Sequence, residues 1–146
     1  MPAVERREVH LTIPVAPEME ISAAAQVSAF GEWMEMGRDK IDEVKMAVAE
    51  ACINAFEHSE TPDRKVDIEF RIGSESDANG RPYLEVDVSD AGRGFDPSRL
   101  ETPEISAKLR SRRKRGWGIK IIESLMDDVR IESGARGTRI IMRKYR

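Results

Sequence analysis

The chain has 146 residues, 40% of them hydrophobic and 35% charged, with a formal net charge of −3. That is the size and composition of one globular domain with its own core, and the small net charge argues against a whole-molecule nucleic-acid footprint. No apolar run approaches the roughly 20 residues that span a bilayer, and the single cysteine, Cys52, excludes an intrachain disulfide.

The N-terminal MPAVERREVH holds no apolar signal core, so no secretion signal is read and a cytoplasmic location is expected. Glu8 to Pro14 alternates as EVHLTIP and predicts a strand with Val9, Leu11 and Ile13 on one face. After the proline-interrupted VAPEME, helical spacing predicts a first helix from Glu18 to Met36, ended by Gly37. A second helix is expected from about Asp39 to His58, with Ile41, Val44, Val48, Ala51, Cys52, Ala55 and Phe56 on a buried stripe. Val66 to Ile72 and Tyr83 to Val88 alternate as two strands, and Asn79-Gly80 between them signals a hairpin. Ala91 to Arg115 carries glycines, two prolines and six cations between Lys108 and Arg115, and is read as a long functional loop. A helix from Gly116 to Met126 follows, and strands Val129–Glu132 and Thr138–Arg143 close the chain around SGARG. The order β-α-α-β-β-loop-α-β-β does not suit regular βαβ winding. It predicts an α+β fold: a two-layer sandwich with a mixed or antiparallel sheet of about five strands and about three helices on one face.

Three segments carry polar groups where chemistry needs them. On the second helix, Glu50, Asn54 and His58 are spaced i, i+4, i+8 and form one slowly drifting stripe. The Asn54 amide oxygen suits Mg²⁺, and the Glu50 carboxylate one turn earlier suits polarising a hydroxyl or water. The competing reading makes Asn54 and His58 satisfied core polar groups and Glu50 part of a solvated face. Next, Asp90 closes a strand and is followed by Gly92 and Gly94, which allow close backbone approach to a ligand, while the acid can accept a hydrogen bond from an exocyclic amine. An ordinary Asp-Ala-Gly turn fits the same residues. Last, Gly116 and Gly118 open a helix whose first-turn N–H groups favour phosphate, with cations just upstream. A glycine-rich helix start beside a solvated basic loop is the alternative there. The segment is not a P-loop, because GxxxxGK[ST] occurs nowhere.

Taken in order, EACINAFEH, DAGRGF and RGWGIKIIESLMDDV resemble the N, G1 and G2 boxes of the GHKL (Bergerat-fold) ATPase superfamily. The Leu125-Met126-Asp127-Asp128-Val129 phrase and the closing Gly137-Thr138-Arg139-Ile-Ile-Met look most like its branch of small anti-sigma factors and serine-protein kinases. The resemblance runs from Val9 to Lys144. It implies a single histidine-kinase-like ATPase domain over residues 1–146, with a core over 8–144 and an ATP lid over 95–115.

By that resemblance Glu50 is the catalytic glutamate, Asn54 binds Mg²⁺ and nucleotide, and Asp90 reads the adenine amine. Gly92 and Gly94 admit the nucleotide, and Gly116 and Gly118 lie at the phosphates, with Arg115, Trp117 and Ile119 beside them. Thr138 sits near the adenine. ATP and Mg²⁺ are the implied cofactors. The implied activity is transfer of phosphate to a serine or threonine of a small anti-anti-sigma (STAS-type) antagonist, alternating with sequestration of a sigma factor. Homodimerisation is implied as well, with the Val9–Ile13 strand as a candidate edge. Direct nucleic-acid and membrane partners are not expected. No phosphoacceptor-histidine helix pair precedes Val9, so a complete sensor histidine kinase is not expected either. The sequence departs from the family pattern in placing Trp117 between the G2 glycines and in its strongly basic lid, and His58 has no assigned role. A nucleotide-gated binding module without phosphoryl transfer is the alternative function. Nucleic-acid binding through Lys108–Arg115 is a third.

Overall fold

The computed structural model describes residues 7–58, 65–74, 80–90, 117–134 and 137–146. Strand β1 (Glu8–Pro14) leads into helices α1 (Met19–Trp33) and α2 (Arg38–His58), strands β2 (Lys65–Ser74) and β3 (Pro82–Asp90), helix α3 (Trp117–Leu125), and strands β4 (Asp128–Gly134) and β5 (Gly137–Tyr145). Strands β2 to β5 each begin one residue before and end two residues after the expected bounds. Hydrophobic alternation marks only the buried stretch, whereas polar strand ends continue the ladder. Among the described residues no helix is long and apolar enough to cross a membrane.

The five strands lie in the order β1-β2-β3-β5-β4, and every neighbouring pair is antiparallel. The sheet is therefore antiparallel, with β1 and β4 at its edges. Val66, Ile68, Phe70 and Ile72 of β2, Leu84, Val86 and Val88 of β3, and Ile140 and Met142 of β5 share one face. They join Ala23, Val27 and Phe30 of α1, Val44, Val48 and Ala51 of α2, and Ile122 of α3 in a single core. Each fully buried aliphatic or aromatic side chain contributes about 1.5–3 kcal/mol. Phe30 stacks on Phe70 at 5.8 Å between ring centroids, fixing α1 over β2.

Helix α1 ends earlier than expected, and by a different residue. Glu35 has φ 57°, Met36 N–H bonds Gly31 O at 2.8 Å, and Glu35 N–H bonds Glu32 O at 3.1 Å. These are the two bonds of a Schellman motif with Glu35 at its left-handed position. Gly37 instead begins α2, its carbonyl accepting the Ile41 N–H at 3.0 Å. A side chain in the left-handed region costs about 1–2 kcal/mol, part of which glycine returns as unfolded-chain entropy. Glu35→Gly is therefore expected to raise stability by about 0.5–1 kcal/mol, read as a higher urea midpoint with an unchanged m-value.

Cys52, on α2, is fully buried. Burial, with a smaller push from the Glu20 charge, raises its thiol to about 12. A thiol held protonated and out of solvent is a poor nucleophile. Folded protein at pH 8 should leave a disulfide reagent unreacted over hours and consume one equivalent once unfolded in denaturant. Prompt reaction in the folded state would contradict the packing.

Among the described residues no helix packs on the other sheet face, which is organised by charge. Strand register sets Glu8, Arg71, Glu85, Arg143 and Asp128 abreast across β1, β2, β3, β5 and β4, alternating in sign at every step. Arg71 pairs with Glu85 Oε2, and Arg143 Nη2 donates to Glu85 Oε1 at 2.9 Å. One strand-pair further along, Arg139 Nε donates to Asp87 Oδ2 at 2.6 Å and Arg139 Nη1 reaches Glu132 at 3.4 Å. Glu85 and Asp87 are buried beneath these guanidinium groups. Burial alone would raise the Glu85 carboxyl, yet hydrogen bonds from Arg143 and Arg71 hold it below the usual carboxylate range.

Candidate active site

Two pairs of the residues singled out in the sequence come together. A Cβ built on Gly118, the second residue of α3, would stand 3.4 Å from Glu50 Oε2. The first turn of α3 thus stands against the Glu50 carboxylate, at ordinary contact distance even for a methyl at position 118. Asp90, the last residue of β3, is buried and accepts the Thr138 N–H on Oδ1 at 3.4 Å. Thr138 is itself buried, its hydroxyl 3.3 Å from that of Ser133.

The ends of α2 relate the two pairs to each other. Near its start, Lys40 Nζ donates to Tyr145 O at 3.4 Å and Glu43 meets Lys144 at 2.7 Å, so this end lies over the C-terminal end of β5. From Lys40 to Asn54 the helix rises about 21 Å, and from Tyr145 back to Thr138 the strand covers about 24 Å. Ala47, Val48, Ala51, Cys52 and Ala55 all stay buried along this path. A helix aligned with β5 would bring its C-terminal half to the end of the sheet that holds Asp90 and Thr138. Asn54, half-buried, sits one turn beyond Glu50 on this half.

Ile119 packs against the core. Trp117, the first residue of α3, is 58% exposed, so its indole is a surface feature and not a core anchor. Gly92, Gly94, Arg115, Gly116 and the expected lid over 95–115 lie outside the described residues, and the side chain of His58 does too. The described residues that flank this stretch in the sequence, Asp90 and Trp117–Gly118, adjoin the two pairs. Sequence reasoning overlooked Glu43 and Lys144, which join α2 to β5 below this site. Lys144 had one signal: it continues the core-facing alternation Ile140, Met142 with a cation.

Residues 13–144 match the histidine kinase-like ATPase domain family. A serine-protein kinase RsbW from Bacillus velezensis is 31% identical over 143 residues, which cover 94% of this chain and 84% of that protein. The serine-protein kinase RsbW of Bacillus subtilis is 30% identical over the same shares of both chains. A crystal structure of the RsbU and RsbW domains of a Mycobacterium tuberculosis protein shares the fold with a TM-score of 0.65 at 19% identity. It covers 96% of this chain, which spans 33% of that longer one. With a family match over nearly its whole length, its boxes in the family order and relatives of this kind, the chain belongs to the histidine kinase-like (GHKL) ATPase family, in the branch of the RsbW-type serine-protein kinases.

Proposed function

We propose that this protein is an ATP-dependent serine/threonine protein kinase that acts as an anti-sigma factor. It phosphorylates a small STAS-type antagonist and, in alternation, sequesters a sigma factor in the cytoplasm. The observation that carries this reading is the close approach of the α3 start to the Glu50 carboxylate. Free N–H groups and the dipole of a helix start favour phosphate, and a carboxylate beside them is where a nucleophilic hydroxyl must lose its proton. In the transfer, the antagonist's hydroxyl oxygen bonds the γ-phosphorus, the bond from that phosphorus to the β–γ bridging oxygen breaks, and the proton passes to Glu50. Asp90 would accept the adenine amine, with Thr138 fixing the carboxylate through its N–H. Asn54 offers a hard amide oxygen for Mg²⁺, which would neutralise phosphate charge; such a site is completed by phosphate oxygens and water and needs no cluster of protein carboxylates. The lid residues and Arg115 would close over the triphosphate.

The direct test is Mg-ATP labelled in the γ-position with the purified protein and its STAS-type antagonist. Label on an antagonist serine or threonine is the expected result; normal ATP binding with no label would leave a nucleotide-gated binding module. A sharper probe of the site is Gly118→Ala. The methyl fits beside Glu50 at ordinary contact distance and helix propensity gains up to about 1 kcal/mol, so stability should hold or rise. It nonetheless fills the space the phosphates require, so ATP affinity should fall by about tenfold or more, roughly 1.4 kcal/mol. Calorimetric titration beside a thermal melt separates these two effects.

A further inference from the structure

Helix α3 is lightly built for an element that must hold a precise place. It has nine residues and among them one fully buried side chain, Ile122. A helix of this length has little stability of its own. Its C-terminal end is nevertheless tied down. Lys144 is buried on the core face of β5, and its Nζ donates to Leu125 O at 2.5 Å and to Glu43 Oε2 at 2.7 Å. The turn that follows is fastened to the same strand by Asp127 N–H on Arg143 O at 3.0 Å and Tyr145 N–H on Asp127 Oδ2 at 2.8 Å.

The spacing of these contacts is informative. Glu43 and Glu50 are seven residues apart on α2, and Leu125 and Gly118 are seven apart on α3. Seven residues are two turns, about 10.5 Å. The helices therefore run antiparallel in matched register: Glu50 faces the start of α3, and Glu43, through Lys144, faces its end. A buried ammonium is desolvated at a cost that an apolar chain of the same length avoids. What the lysine adds over methionine is directional hydrogen bonding to one carbonyl and one carboxylate, with charge that complements a helix C-terminus.

Building on the proposed nucleotide site, we propose that Lys144 is a positioning residue: with Glu43 it latches the C-terminal end of α3 to α2 and thereby sets where Gly118 stands against Glu50. The latch acts on the phosphate end of the nucleotide, because Asp90 and Thr138 belong to β3 and β5 and do not depend on α3.

The test uses the full chain with Lys144→Met and the milder Glu43→Gln, and Lys144→Arg as the variant that keeps both donors. Amide hydrogen exchange over residues 117–125 should quicken by about tenfold in Lys144→Met, less in Glu43→Gln, with protection of α2 retained, and should return toward the parent rate in Lys144→Arg. Affinity for Mg-ATP should drop in the same order by about tenfold at most, while affinity for AMP stays unchanged. General loosening of the fold would instead weaken both nucleotides together, and that result overturns the proposal. So does α3 exchange that is unchanged in both variants, or faster α3 exchange with ATP affinity intact. A parent protein that ignores ATP refutes the nucleotide site itself, and the exchange measurement then decides the latch alone.

Discussion

Glu50→Gln should reduce phosphate transfer to the antagonist by about 10²–10⁴-fold, equivalent to roughly 3–5 kcal/mol of transition-state stabilisation, while ATP still binds. Glutamine keeps the shape of the side chain and its place against Gly118 but cannot take a proton from the attacking hydroxyl. A carboxylate 3.4 Å from where a Gly118 Cβ would stand would also lie close to a phosphate bound at the start of α3. Neutralising it removes a repulsion, so nucleotide affinity should stay level or rise. The two effects have opposite signs, and that separates a base from a structural residue, whose loss would lower both. Single-turnover transfer of labelled phosphate, run beside ATP titration, reads them independently. Equal losses in transfer and in ATP affinity would assign Glu50 to binding. Unimpaired transfer would remove it from the chemistry and place the proton acceptor elsewhere.

The sequence was most readable where one period governed a whole segment. Alternation in VDIEFRI and YLEVDV identified the core-facing Ile68, Phe70, Val86 and Val88, because a buried sheet face admits few alternatives to apolar side chains. Gly37 misled: the left-handed residue that ends α1 is Glu35, and the usual preference for glycine there is a matter of about 1 kcal/mol that packing of Met34 and Met36 overrides. The charge row Glu8, Arg71, Glu85, Arg143, Asp128 could not be foreseen, since it depends on four strand registers at once and strand β5 inserts between β3 and β4. The Glu43–Lys144 contact spans 101 residues, so the cation in the core-facing alternation of β5 did not reveal its partner. For the candidate site, the sequence supplied expected residue types and their order. The pairing of Glu50 with Gly118 and of Asp90 with Thr138 required the fold.

The charge row predicts the largest loss of stability. Glu85 is 2% exposed and lies between Arg71 on β2 and Arg143 on β5. Glu85→Ala would leave two guanidinium groups facing each other across β3 with no anion between them. Removing one partner from a buried ion pair costs about 3–5 kcal/mol. Here both arginines reach solvent, with side chains 41% and 32% exposed, and can rehydrate, so the expected loss is about 2–3 kcal/mol. Arg71→Ala should cost less, because Arg143 still holds the carboxylate. The effect also carries a pH signature. The folded carboxyl titrates below the unfolded one, so its contribution is complete above the ordinary glutamate value and fades as pH falls through the lower folded value. Urea unfolding of parent and Glu85→Ala proteins should therefore differ most near neutrality and converge in acid. A gap that persisted undiminished at low pH would mean that packing of the Glu85 methylenes, and not its charge between the two arginines, accounts for the loss.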